Sequence, residues 1–375
     1  VRLAAQTTDT AERAGRNFPE AVAALRELTR LDLDAVNGVI ADTMRSPVTL
    51  IPDIAGHLQQ AGGKRIRPML TLAAARLCGY RGADHVKLAA AVELIHGATL
   101  LHDDVVDASA LRRGGNTAHV IWGNKESVLV GDFIFARAFE LMVAARDLKV
   151  LQILSSASGV IAEGEVLQLA TQKNLGATAD MYLAVIEAKT AALFAAAAQS
   201  GAVIAGCSEA DEQAMRRFGL NLGIAYQLID DALDYSGLEA ALGKRVGDDF
   251  REGKMTLPVV HALARAEGEE RAFWRRTIAE GRQQPDDFAV ARGLLEKRGA
   301  LADTIACARR YADRRGRSGG GRRPRRSGRR LCAAGVLTRG PRFHSAAWRS
   351  GAGSSRAAAG RRADGSSMPA ARARV

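Results

Sequence analysis

Six aspartates in two clusters are the residues of this 375-residue chain best placed to do chemistry. The first cluster is His102-Asp103-Asp104-Val105-Val106-Asp107, preceded by Leu100 and Leu101. The second is Gln227-Leu228-Ile229-Asp230-Asp231-Ala232-Leu233-Asp234. Each sets carboxylates at i, i+1 and i+4 inside an apolar helical pattern. Positions i and i+4 project from one helix face, and i+1 sits roughly 100° away. Carboxylates crowded on an apolar helix repel one another and are costly to bury unpaired. Oxygen clusters of this kind suit Mg²⁺, which takes one or two carboxylates and completes its shell with water and phosphate oxygens. A single cluster could equally be a solvated helix face; two, each preceded by an apolar turn, favour the metal reading.

Cations are distributed around these clusters. Lys64-Arg65-Ile66-Arg67-Pro68, after Gly62-Gly63, opens a helix, with Pro68 suited to its first turn. It is not a P-loop, because Arg65 follows Lys64 where Ser or Thr is needed and no strand precedes it. Arg112-Arg113-Gly114 follows the first cluster, Lys189-Thr190 lies in a helical run, and Lys244 and Lys254 lie in and after a glycine-rich loop, 243–253. Any one of these alone reads as surface charge. Together they describe a cavity with acidic metal-binding and basic phosphate-binding walls, the needs of a substrate carrying a diphosphate. His96 lies two helical turns before Asp103, on the same face. Ala98 and Thr99 stand roughly 6 to 8 Å along the axis from Asp103, where a growing chain anchored at the aspartates would pass. Both are small.

The elements that must hold these residues read as helices. No proline occurs between Pro68 and Pro258, and interior proline costs a helix about 3 kcal/mol. Apolar residues recur at helical spacing, as in Leu88, Ala91, Val92 and Ile95, or Phe218, Leu222, Ala225 and Ile229. No alternating run flanked by hairpin turns is evident, so β structure is not expected. The charge-free stretch Thr190–Ser208 approaches the length that spans a bilayer, but its Ala, Gly, Gln199 and Ser200 favour a buried bundle helix.

Composition sets the outer limits. Hydrophobic residues are 47% and charged residues 25%, which excludes a wholly disordered chain and a polytopic membrane protein. The four cysteines form no Cys-x-x-Cys pair, which argues against a disulfide framework or zinc site and for a reducing compartment. Residues 1–18 show no secretory pattern. The net charge of +12 is misleading: residues 314–375 hold 17 Arg and one acidic residue, Asp364, leaving residues 1–313 at −4. That mildly acidic body gives no reason to expect nucleic acid. The expected division is therefore a helical domain over 1–313 and an Arg/Gly/Ala-rich tail over 314–375 that cannot build a core. The abrupt switch after Asp313 resembles a GC-rich reading frame translated out of register.

The ordered set Gly-Gly-Lys-Arg-x-Arg-Pro, Asp-Asp-x-x-Asp, Arg-Arg-Gly, Lys-Thr, Gln-x-x-Asp-Asp-x-x-Asp and Gly-Lys…Gly-Lys resembles the trans-polyprenyl diphosphate synthases, over roughly Ala21 to Tyr311. The resemblance implies an all-α isoprenoid-synthase helical bundle around a central catalytic cavity. There an allylic diphosphate ionises and isopentenyl diphosphate attacks. It implies that Asp103, Asp104, Asp107, Asp230, Asp231 and Asp234 hold three Mg²⁺. Arg112, Lys189, Thr190, Gln227, Lys244 and Lys254 would contact the allylic diphosphate, and Lys64, Arg67, His96 and Arg113 the isopentenyl diphosphate. The stretch from Ile95 to Asp107 is similar to the long-chain members that make quinone side chains of about eight to ten isoprene units. A homodimer, a cytoplasmic location and peripheral membrane contact for product release are the accompanying expectations. A short-chain or geranylgeranyl diphosphate synthase, or an anion-binding role of the basic tail on nucleic acid or membrane, remain the alternatives.

Overall fold

Three helix starts are fixed by side chains that accept backbone donors left free in a first turn. Asp147 accepts from Val150 N at 2.9 Å, Thr178 from Met181 N at 3.2 Å and Ser208 from Asp211 N at 3.3 Å. The computed structural model describes residues 18–236 and 246–314, all within one compact unit. Helices run as α1 (Phe18–Leu28), α2 (Arg30–Thr43), α3 (Leu50–Gln60), α4 (Ile66–Leu77) and α5 (Asp84–Val106). After a hairpin come α6 (Ala118–Trp122), α7 (Asn124–Ala144), α8 (Leu148–Thr171), α9 (Ala179–Ile186), α10 (Ala192–Ile204) and α11 (Glu209–Asp234). The C-terminal part adds α12 (Asp248–Arg251), α13 (Leu257–Ala264), α14 (Gly268–Trp274), α15 (Asp287–Lys297) and α16 (Ala300–Asp313). The fold is all-α, as expected. The tail, apart from Arg314, and Lys244 lie outside the described residues.

The hairpin is the exception to an all-helical reading. Strand β1 (Leu111–Arg112) pairs antiparallel with β2 (Gly115–Asn116), Leu111 opposite Asn116 and Arg112 opposite Gly115. Its two loop residues, Arg113 and Gly114, have φ of 52° and 82°. Positive φ at both positions is the type I′ geometry that matches strand twist, and it needs too few residues to leave a β pattern in the sequence. The turn presents both arginines where α5 ends.

Helix α10 forms the centre of the bundle. Every residue from Leu193 to Val203 is buried, and the helix packs on α4, α8 and α11. Two helices, Leu148–Thr171 and the continuous Ala179–Ile204, are long and apolar enough to cross a membrane by length and composition. The charge-free stretch is nevertheless the innermost helix of the bundle. One apolar core gathers α2, α4, α5, α7, α8 and α10, and a second gathers α9, α11 and α13 to α16.

Backbone approach between α10 and α11 depends on glycine. A Cβ at Gly219 would stand 2.3 Å from the Phe194 carbonyl oxygen and 2.8 Å from Ala195 Cα; at Gly223 it would stand 2.6 Å from Ala191 Cα. This contact sets the helix carrying the second aspartate cluster against the helix carrying Lys189 and Thr190. Gly219→Ala is therefore expected to separate the two helices and destabilise the protein by about 1–3 kcal/mol. Urea denaturation measures this, and an unchanged midpoint would show that the contact can relax.

Candidate active site

Most of the chemistry-bearing residues converge on one cavity of about 490 Å³. Asp103 and Asp107 enter from α5, Asp230 and Asp231 from α11, and Lys189 and Thr190 from between α9 and α10. Arg112 and Arg113 come from the hairpin, Lys64 and Arg67 from the start of α4, Lys254 from the loop after α12, and His96, Thr99 and Gln227 complete the expected set.

Three expected residues are placed elsewhere. Asp104, 2% exposed, does not line the cavity; Arg112 grips it through Nε at 2.9 Å and Nη2 at 2.6 Å. Its carboxylate is taken up by that guanidinium instead of facing the cavity. Asp234 also faces away, accepting from Gly247 N at 3.2 Å and Asp249 N at 3.1 Å, so it anchors the loop that carries Lys254. Ala98 is fully buried and does not line the cavity, whereas Thr99 does.

The cavity carboxylates are paired with cations drawn from distant segments. Lys254 Nζ lies 3.0 Å from Asp107 and also pairs with Glu252. Lys189 Nζ lies 3.8 Å from Asp103 and 2.6 Å from Glu165. Burial raises the Asp103 carboxyl even so. Burial, then the Asp103 charge, pushes Glu165 up to about 7. Burial alone would lower Lys254, but Asp249, Asp107 and Glu252 outweigh it and hold the ammonium above its ordinary range. Asp231 is held by Tyr182 OH and by Gln227 Nε2 at 2.8 Å, while Thr190 Oγ1 donates to Gln227 Oε1 at 2.9 Å. Burial, then Asp249, raises Asp231 well above the carboxylate range.

Gly63, Lys64, Arg67, His96, Arg112 and Arg113 also border a smaller pocket of about 90 Å³ between α3, α4 and α5. The Arg67 guanidinium stands 4.4 Å over the Phe194 ring, and its Nε has no partner. Burial, then Arg67, drives His96 well below its ordinary pKa, so a neutral imidazole faces this cationic annex. A fixed cluster of donors with few acceptors is a site for an anion.

Among the described residues, no three His, Cys, Asp or Glu side chains form a ready-made metal cage. The oxygens of Asp103 and Asp107 on one wall and Asp230 on the other still fit a hard cation that shares its shell with phosphate and water. Several cavity residues were not found from the sequence. Asp249 could have been, as an acidic pair with Asp248 in the glycine-rich loop ahead of Lys254. Glu165, Tyr182 and Tyr226 carry no local signal; only the fold brings them in.

The sequence profile described as polyprenyl synthetase matches residues 48–295. The chain is 49% identical over 257 residues to octaprenyl diphosphate synthase of Escherichia coli (strain K12), covering 68% of this chain and 80% of that protein. It is 44% identical over 271 residues to the all-trans-nonaprenyl-diphosphate synthase (geranyl-diphosphate specific) of Rhodobacter capsulatus, covering 72% and 82%. The crystal structure of a polyprenyl synthase from Caulobacter crescentus CB15, complexed with calcium and isoprenyl diphosphate, superposes with a TM-score of 0.78 at 51% identity, covering 85% of this chain and 95% of that one.

Raised carboxyl groups make cation binding pH-dependent. With Glu165 standing near 7, a proton occupies part of the site at pH 6 and leaves as pH rises through 7. Mn²⁺ affinity is expected to increase several-fold, roughly the competition of one proton, between about pH 6 and 8. Calorimetric titration with Mn²⁺ alone measures it; equal affinities at the two pH values would contradict the assignment.

Proposed function

The chain belongs to the polyprenyl synthetase family, and we propose that its cavity condenses isopentenyl diphosphate with an allylic diphosphate to build a long-chain polyprenyl diphosphate. One observation carries the reading: acidic residues of two helices line one cavity, which shares Lys64, Arg67, His96, Arg112 and Arg113 with a smaller cationic annex. Two anionic substrates need two such subsites.

The residues divide the work between them. Asp103 and Asp107 on one wall and Asp230 on the other would hold Mg²⁺, three ions per site, beside Asp231, which Tyr182 and Gln227 hold. Bound Mg²⁺ neutralises the charge that develops on the departing diphosphate. Lys189, Lys254, Arg112, Thr190 and Gln227, with Lys244 on the adjoining segment, bind the same diphosphate. Lys64, Arg67, Arg113 and neutral His96 orient the isopentenyl diphosphate. The allylic C–O bond breaks with its electron pair going to oxygen. The isopentenyl double bond attacks the allylic carbon, and the proton released moves to a diphosphate oxygen. Leu100, Met181, Val185 and Ile186 give the cavity an apolar wall that keeps water from the cation.

Further parts of the reading follow from the surface. The apolar side chains of Leu129 and Val143 on α7 and of Val166 and Leu169 on α8 are 49–67% exposed, and a homodimer would cover them. We place the enzyme in the cytoplasm, working on small diphosphates rather than nucleic acid. Peripheral contact with a membrane would release a product destined for quinone side chains.

Labelled isopentenyl diphosphate with an allylic primer and Mg²⁺ tests the reaction. Products of about eight to ten isoprene units are expected, arrest at four would select a geranylgeranyl product, and activity surviving full chelation would overturn the metal role. Asp103→Ala should cost at least ~10²–10³-fold in turnover. Lys64→Ala should raise the KM for isopentenyl diphosphate more than that for the allylic substrate. Thr99→Phe, or Ala98→Tyr beneath it, should shorten the product while primer consumption persists. An unchanged product ladder in both would show that the chain leaves by another route.

A further inference from the structure

Glu165 is an acid on the wall of a cavity that receives acids. It comes from α8, and its Oε2 accepts from Lys189 Nζ at 2.6 Å while Oε1 is buried without a partner. The two side chains are comparably enclosed, 23% and 19% exposed. Lys189 lies on a single π-helical turn, Glu187–Ala191, where the helix is widened between α9 and α10. The residue before Glu165 presses on the same turn: a Cβ at Gly164 would stand 2.7 Å from Lys189 N and 2.8 Å from Ala188 Cβ. One turn of α8 thus sets both the backbone of Lys189 and the place of its ammonium group. Asp103 lies next to that ammonium, at 3.8 Å. Without Glu165, Lys189 would close on Asp103 and occupy an oxygen that the cation needs.

Building on the proposed function, we propose that Glu165 is a positioning residue that holds Lys189 off Asp103, leaving Asp103 open to the divalent cation and Lys189 available to the diphosphate. Two other roles would leave different traces. A Glu165 that itself ligated the cation would act independently of Lys189. A merely structural Glu165 would change stability and leave cation affinity alone.

The test measures Mn²⁺ affinity by calorimetry, without diphosphate, in wild type, Glu165→Gln, Lys189→Met and the double variant, each checked for its melting temperature. Glu165→Gln is expected to weaken Mn²⁺ about tenfold, the scale of one partly buried ion pair. The double variant is expected to regain at least wild-type affinity, because the competing ammonium is gone. Equal weakening in the single and double variants would make Glu165 a ligand, and unchanged affinity in Glu165→Gln would make it a bystander; either overturns the proposal. Product formation by the wild-type enzyme checks the underlying reaction separately, so the two failures are distinguishable.

Discussion

Everything in this site depends on pairing enclosed carboxylates with cations brought from other parts of the fold. Asp103, Asp107 and Asp104 stand on one helix within two turns, and each is met by a cation from elsewhere: Lys189, Lys254 and Arg112. None of those cations comes from α5. One rides a π-helical turn, one the loop after α12, and one the first strand of the hairpin. The fold can therefore be understood as the means of delivering these charges. The lysines pair with cavity aspartates, and in the proposed reaction a metal-bound diphosphate would offer each side a better partner. Binding would then exchange ion pairs, so that little charge has to be created in a poorly solvated space.

The surrounding architecture serves that exchange. The loop over 246–254 is tied to both walls. Asp234 accepts from its backbone, Gln172 Nε2 donates to Glu252 O at 2.9 Å, and Ser109 Oγ donates to Glu252 Oε1 at 3.2 Å. Lys254 thereby bridges the α11 side to Asp107 on α5. Close contact of α10 with α11 at Gly219 and Gly223 fixes Lys189 and Thr190 relative to Gln227 and Asp230. In the annex, Arg65 pairs with Glu93, and Phe194 underlies Arg67, so the cations there are held before an anion arrives.

Much of this was legible in the sequence, for definable reasons. Helical periodicity and the absence of proline located the bundle, and the clusters and basic motifs named most of the cavity lining. Local reasoning failed where placement depends on helix phase or on partners across the fold. Asp104 and Asp231 hold the same i+1 position in their clusters, yet only Asp231 lines the cavity, and nothing local shows that Asp234 faces the loop that follows it. A π-helical turn shifts the helix phase, so the spacing around Lys189 cannot be read as a regular helix. The hairpin is too short to show alternation. Glu165 is 24 residues from Lys189, and only the packing of α8 on that turn reveals the pair.

Cation and diphosphate should take over the partners which the site now supplies to itself. A crystal structure with Mn²⁺ and an allylic thiolodiphosphate, whose bridging sulfur resists ionisation, tests it most directly. Anomalous density for metal is expected at Asp103 and Asp107 on one wall and Asp230 on the other, with Lys189 and Lys254 turned from carboxylates to diphosphate oxygens. A bound diphosphate with both lysines still on their carboxylates and no metal between the walls would contradict it.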